Sequence, residues 1–311
     1  MSIVPDDDHE AVAVEPTTAP TDQQDTTSSA PPDTATAPAP GTRGRRHQAL
    51  TRLRGDIPRS VQLGLGALGV LGLLGGWTVL ATTMGSESFL LPTPAEAWSA
   101  GLDLYRSGDL TADLSASGQR IVIGYGISIS IGVVLGVLIG SFRSAAAFVE
   151  PQVALLRYIP ATALTPLFLL WLGIDEAPKI ALIVVGTVFY NVLMVADVAR
   201  AVPRELINAS YTLGAGRLTI LRRVLLPHSW PGIIDVARVN LAAAWLMLVV
   251  AELLAAQEGL AFRVVRAQRF RQVDTMFALL IVFAAIGLVS DLLLRALRNR
   301  TAPWSEGSRW V

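Results

Sequence analysis

Two stretches of this chain, residues 61–85 and 121–142, contain no charged side chain, and each reaches the roughly 20 residues that a helix needs to cross bilayer hydrocarbon. Four shorter apolar runs follow at 158–174, 180–196, 239–251 and 275–290, each bounded by a charge. They attain spanning length only if Asp197, Arg238, Glu252 and Asp291 enter the spans near their ends or face protein, where intramembrane charges usually sit. The third run also holds Pro160 and Pro166, which remove backbone donors and predict an interrupted helix. Only 16% of the 311 residues are charged and 52% are apolar, against about a quarter charged in soluble domains. An all-α, polytopic membrane protein of six spans is the reading these runs require, not an ordinary cytosolic enzyme.

The small-residue pattern Ala95, Glu96, Ala97 invites a secretory-signal reading of the first run. A leader of about sixty Pro-rich residues and an apolar run longer than 20 argue against it. Gly132, Gly136 and Gly140 in the second run, and Gly66, Gly69, Gly72 and Gly75 in the first, have the small-residue spacing that lets helix backbones approach in lipid. Plain packing, or an interface that moves during a transport cycle, would each use them.

The formal charge of zero hides an asymmetry. Residues 1–40 hold eight acids and no Lys or Arg, leaving 25 basic against 17 acidic residues in the remainder. Residues 1–48, acidic and rich in Pro and Thr, bury too little apolar surface to offset the entropy of ordering and are expected to form a disordered tail. Segments 41–60, 142–150, 200–227 and 295–311 hold sixteen basic residues against seven in the alternate loops. The positive-inside rule therefore places the tail and both termini, including 301–311, in the cytoplasm, with residues 49–300 forming the membrane domain. One loop runs against the count: Arg263, Arg266, Arg269 and Arg271 fall on the outer side. They either solvate an extracytoplasmic helix and pair with Glu258 and Asp274, or form a partner-docking surface or a funnel for anions.

Much chemistry is excluded. There is no cysteine, and the three histidines, His9, His47 and His228, are far apart, so neither thiolate nor histidine metal sites are expected. The sole lysine, Lys179, lies between Pro178 and Ile180, so no phosphate-binding P-loop exists. Asp197 and Glu252 have no spacing that demands an aspartyl dyad. No catalytic residue, resident cofactor or nucleic-acid partner is expected, and energy for any uphill transport must come from another polypeptide.

Residues 203–231 form a long connection with apolar Leu206, Ala209, Leu213, Leu218, Leu221, Val224 and Leu225 at helical spacing and basic Arg217, Arg222 and Arg223. Two short amphipathic helices are expected, separated by Gly214 and Gly216, where a helix end commonly uses positive φ. An exposed apolar face here asks for a cytoplasmic partner. In this segment the chain resembles the inner-membrane permease subunits of binding-protein-dependent ABC importers. Their signature is Glu-Ala-Ala, three residues, Gly, nine residues, an aliphatic, one residue, Leu-Pro. Gly214, Val224, Leu226 and Pro227 stand at the matching positions, with Asn208, Ala209 and Ser210 in place of Glu-Ala-Ala. The segments FLLPTPAEAW (89–98), RYIPATALTPLFLLWLGIDEAPKI (157–180) and VAELLAAQEGL (250–260) are similar to the branch that carries aliphatic sulfonates, taurine and nitrate.

The resemblance implies a type I ABC importer permease fold, an ATPase-coupling role for Asn208, Ala209, Ser210, Gly214, Val224, Leu226 and Pro227, and a dimeric pore in the plasma membrane, most simply a homodimer. It also implies a separate ATPase subunit that holds ATP and Mg, and an extracytoplasmic solute-binding protein. The expected cargo is a small anion, an aliphatic sulfonate first. Nitrate, taurine, bicarbonate and a thiamine-precursor pyrimidine remain open, as does a channel or scaffold of no transport function. Trp171, Asn191 and Glu252 are candidates for the path or gate. The favoured alternative is ordinary helix packing or an interfacial aromatic for the first two, and structural pairing with an arginine of the following loop for Glu252.

Overall fold

The computed structural model describes residues 58–83 and 90–304, without the side chains of Arg59 and Ala255. The acidic segment 1–48, most of the arginines before the first span, and residues 305–311 lie outside the described residues. The chain divides into two units, Met1–Leu65 and Gly66–Val311. The described part of the first is residues 58–65, the opening of helix α1 (Arg59–Thr83). There the amides of Val61 and Gln62 bond back to the Pro58 carbonyl at 2.9 and 3.1 Å.

Within the second unit the helices are α2 (Pro94–Arg106), α3 (Asp109–Ser141), α4 (Arg143–Leu156), α5 (Thr165–Leu172) and α6 (Glu176–Arg200). They continue with α7 (Arg204–Thr212), α8 (Arg217–Ile220), α9 (Leu226–Ala255), α10 (Leu260–Arg269) and α11 (Val273–Thr301). No strand occurs among the described residues. Five helical stretches are long and apolar enough to cross a membrane, and the bent pair around Pro160 makes a sixth.

Helices α3, α6 and α9 form the centre. Ser128 meets Thr187, Gly132 meets Asn191, and Gly140 meets Ala199, all at the same separation of 59 residues. The two helices therefore run parallel. A Cβ at Gly132, Gly136 or Gly140 would lie 2.6, 2.7 or 2.5 Å from the Cβ of Asn191, Val195 or Ala199, so the absence of side chains sets how closely α3 and α6 approach. In contrast, Gly66, Gly69, Gly72 and Gly75 have nothing within 4 Å among the described residues, and the packing expected of them is not seen within the chain. Later in α1, Trp77 stacks on Phe277 at 5.5 Å between ring centres and donates to the Pro92 carbonyl at 3.0 Å.

Because α3 and α6 are parallel, the segment between them must return across the bundle. The interruption expected in the run 158–174 is present, and it lies between two helices: Arg143–Leu156 and Ala161–Leu172 meet at 79°. Pro160 takes an extended conformation (φ −61°, ψ 113°) ahead of a 3-10 turn, Ala161–Leu164, and the residue before a proline is itself pushed out of the helical region. The break follows from these two restrictions.

Helix α9 is antiparallel to α6, with Gly232 against Val198 and Gly186 against Met247. Helix α11 in turn lies antiparallel to α9. There Arg238 donates to both Asp291 oxygens at 2.8 and 3.1 Å, and Trp245 meets Phe283 edge to face. Arg238 and Asp291 thus face protein, as their place in apolar runs demands. Asp197, in contrast, is mostly exposed beside Arg200.

Candidate functional site

Two polar assemblies occupy opposite ends of α6 and α9. At one end is the connection from α6 to α9. Helix α7 buries none of its residues, and Leu206, Tyr211, Leu213 and Leu218 are exposed, Leu213 by 88%. The helix closes in a Schellman turn. Gly214 N–H donates to the Tyr211 carbonyl at 2.9 Å and Ala215 N–H to the Ser210 carbonyl at 3.0 Å, with Gly214 at φ +80°. That backbone conformation is the reason for glycine here.

The second short helix expected in 203–231 is not separate. Helix α8 runs through a single π turn, Leu221–Leu225, directly into α9. Pro227 has no N–H and its ring crowds the carbonyl four residues back. The wider π turn, in which Leu226 N–H reaches the Leu221 carbonyl, relieves that crowding and keeps the helix continuous. Leu225 and the partly buried Leu221 and Leu226 anchor this turn against Val195, Ala199 and Val202. Asn208, Ala209, Gly214 and Pro227 are exposed, while Ser210, Val224 and Leu226 are half-buried. The seven residues of the loop therefore lie along one connection, its outer edge open and its inner edge packed.

At the other end a buried cluster joins α3, α6, α9 and α10. Asp113, Ser117 and Arg120 share one face of α3 by their spacing, and all are buried. Glu252, 1% exposed, accepts at Oε1 from Ser117 (2.6 Å) and Arg120 (2.8 Å), and at Oε2 from the Ala261 amide (2.9 Å). Its arginine partner is thus Arg120, 132 residues earlier, not an arginine of the following loop. Arg120 also grips Glu176 with two bonds of 2.5 and 2.8 Å and the Glu258 carbonyl at 2.8 Å. Lys179 adds a bond of 2.8 Å to Glu176.

The loop between α9 and α10 closes over this cluster. Gly259 N–H donates to Asp113 (2.9 Å) and Leu260 N–H to Ser117 (2.9 Å). A Cβ on Gly259 would lie 2.5 Å from the Glu252 carboxylate atoms, so glycine is required by contact as well as by its φ of +135°. Arg263 pairs with Asp113 and with Asp109. Burial works against charge on Arg263, and the hydrogen bonds that it donates to Asp113 and Asp109, with their negative charge, outweigh it and raise its pKa. Arg266, Arg269 and Arg271 make no side-chain hydrogen bond or ion pair among the described residues, and neither Glu258 nor Asp274 pairs with any arginine of this loop.

The three path candidates do not converge. Trp171 is 67% exposed on α5. Asn191 is fully buried, donating to Ser128 (2.9 Å) and accepting from Asn240 (2.8 Å), and it holds α3, α6 and α9 together. Asp113, Ser117, Arg120, Glu176 and Gly259 were not singled out from sequence. The available signal was the i, i+4, i+7 spacing of polar residues immediately before the second apolar run. No group of three or more His, Asp or Glu among the described residues is placed to hold a metal ion.

A family model described as the binding-protein-dependent transport system inner membrane component matches residues 129–303. A probable ABC transporter permease protein of Brucella abortus is 36% identical over 80% of this chain and 98% of its own length. The taurine transport system permease protein of Escherichia coli is 33% identical over 83% of this chain and 95% of its own. A putative aliphatic sulfonates transport permease protein of Bacillus subtilis is 32% identical over 75% and 82%. Among solved structures, a chain of the MetNI methionine ABC transporter superimposes with a TM-score of 0.54 at 20% identity, covering 61% of this chain and 94% of that one.

Proposed function

This chain belongs to the family of binding-protein-dependent transport system inner membrane components, and from that premise we propose that it carries small organosulfonates into the cytoplasm as the pore of an ABC importer. The family places it in the inner membrane as a multi-pass permease subunit without enzymatic activity of its own. In this reading two copies form the pore, both termini are cytoplasmic, a solute-binding protein delivers cargo from outside, and the ATPase subunits hold ATP and Mg.

The observation that carries the reading is the open edge of the α6–α9 connection. Leu206, Tyr211, Leu213 and Leu218 are exposed around a turn whose geometry is fixed by Gly214. An apolar edge so placed is a docking surface for a cytoplasmic partner, and Asn208, Ala209, Ser210, Val224, Leu226 and Pro227 belong to the same unit. Closure of an ATPase dimer on two such loops would shift the pore between inward- and outward-open populations. Sulfonate is favoured as cargo because the taurine and aliphatic-sulfonate relatives match three-quarters of the chain or more. Asn191 and Glu252 fit this mechanism as residues that hold the helices in register, and Trp171 as a surface aromatic.

The test is growth of a strain lacking this chain on methanesulfonate, ethanesulfonate or taurine as sole sulfur source, with sulfate- and nitrate-fed controls, in a background without a second sulfonate importer. Loss of growth on sulfonates alone, restored by the intact chain, is expected. Normal growth on all three would overturn the sulfonate assignment.

A further inference from the structure

We propose that the cavity between the end of α9 and α10 is a binding site for the transported anion within the permease itself, formed by Arg266 and Arg269 on an apolar wall. Its volume is about 440 Å³, with Leu253, Phe262, Val265 and Phe270 among its lining residues. That lies within the size range of small-molecule sites. The only carboxylate at its edge is Glu252, whose two oxygens are already occupied by Ser117, Arg120 and the Ala261 amide. The cavity therefore presents two cationic side chains and no available negative charge.

These arginines differ from Arg263 on the same helix. Arg263 is spent on Asp109 and Asp113, whereas the guanidinium groups of Arg266 and Arg269 have no hydrogen-bond or ion-pair partner among the described residues. An arginine fork matches an oxyanion with several acceptor oxygens. The apolar wall distinguishes ligands further: a sulfonate with a short alkyl tail covers Phe262, Val265 and Phe270 while its head meets the arginines. Inorganic sulfate and nitrate have no group to place on that wall.

A neighbouring cavity of about 580 Å³ shares Arg266 but is also lined by Asp103, Asp109 and Asp274. Asp109 is paired with Arg263, but Asp274 makes no ion pair among the described residues and repels an anion, so the smaller cavity is the one suited to it. Naming organosulfonate as the ligand rests on the cargo proposed above, whereas the preference for an anion with an apolar tail rests on the cavity alone.

The test is direct binding to the full chain, purified with its ATPase and without solute-binding protein, measured by calorimetric titration with butanesulfonate, ethanesulfonate and sulfate. Butanesulfonate is expected to bind more tightly than ethanesulfonate, and sulfate not to bind at about 10 mM. Arg266→Gln and Arg269→Gln should each weaken butanesulfonate binding about tenfold or more. Arg271→Asn, at an unpaired arginine outside the cavity, should leave it unchanged. Because these side chains are exposed, thermal unfolding should be unaltered in all three variants and folding does not confound the comparison. Absence of butanesulfonate binding, equal affinity in the Arg266 and Arg269 variants, or sulfate binding as tight as butanesulfonate would each overturn the proposal. Growth on sulfonates that depends on the chain, found together with any of those results, would refute the cavity and leave the transport reading intact.

Discussion

Removal of the Arg120 guanidinium tests whether the cluster at the end of α9 is a clasp. Arg120→Met keeps much of the side chain's length but deletes donors to Glu176, Glu252 and the Glu258 carbonyl. Glu252, with 0% of its side chain exposed, is then a buried carboxylate whose remaining donors are Ser117 and the Ala261 amide. Breaking a buried pair by deleting one partner costs about 3–5 kcal/mol, because the stranded charge loses compensation and cannot reach water. At ~2–4 °C per kcal/mol for a chain of this size, the midpoint should fall by ~6–20 °C. Glu252→Gln is milder, about 1–3 kcal/mol: both carboxylate oxygens accept N–H or O–H donors, so an amide nitrogen must confront one of them. The double variant strands no charge and should cost about 2 kcal/mol or more less than the sum of the singles, a coupling within the range found for contacting pairs. Glu176→Gln supplies the contrast, since a carboxylate 53% exposed is screened by solvent and contributes about 1 kcal/mol or less. Tryptophan fluorescence melts of the chain in lipid nanodiscs measure all four. Single variants that add within about 0.5 kcal/mol, or an Arg120→Met midpoint matching the wild type, would refute the clasp.

Gly136→Ala would place a methyl 2.7 Å from the Val192 carbonyl and Val195 and should cost about 1–3 kcal/mol. Gly69→Ala, with nothing within 4 Å, should stay within about 0.5 kcal/mol in the same melts. Gly214→Pro removes the N–H that closes the Schellman turn and cannot adopt φ +80°. Uptake should be abolished with membrane insertion intact, and normal uptake would end the coupling assignment. The chain has no cysteine, so Leu213→Cys and Gln268→Cys report orientation cleanly. An impermeant maleimide should label the second in intact cells and the first only after lysis, and the reverse pattern would invert the topology.

The features legible in sequence were those set by local chemistry. Gly132, Gly136 and Gly140 announce a close helix approach because small side chains at that spacing have few other uses in lipid, and Gly214 announces a turn because few residues tolerate its φ. What escaped was set by partners distant along the chain. Glycines of the same spacing in α1 meet nothing, so spacing shows where helices are able to approach and not whether a second helix is there. Arg120 lies just outside an apolar run, where a charge reads as a flank. Only folding brings Glu252 to it across 132 residues. The loop arginines invited pairing with their sequence neighbours Glu258 and Asp274, yet Arg263 reached back to Asp109 and Asp113. Pro160 correctly signalled an interruption, but its 79° depends on α3 and α6 being parallel, a tertiary fact. The segment 203–231 suggested two separate short helices, whereas a π turn carries the second past Pro227 into α9.

That last difference bears on how the two ends of the molecule communicate. Helix α9 has 30 residues, about 45 Å at 1.5 Å per residue, and no loop interrupts it between the π turn and Glu252. Had the connection contained a separate second helix, a force on α7 would have been absorbed at a flexible joint. As built, α8 and α9 are one continuous helix, whose hydrogen-bond pattern is irregular at the π turn, Leu221–Leu225, and again at Pro231, which has no N–H to donate. Along its length α9 is held in register by the Arg238–Asp291 pair and by Asn240 bonding Asn191. At the far end its position is set by one carboxylate, shared among Arg120, Ser117 and the Ala261 amide. In the transport cycle proposed above, a tilt begun at the loop would reach Glu252 as a strain on hydrogen bonds buried from solvent. Such a network would favour two discrete arrangements, intact or broken, over a graded stretch, which is what the proposed alternation between inward- and outward-open populations asks of α9.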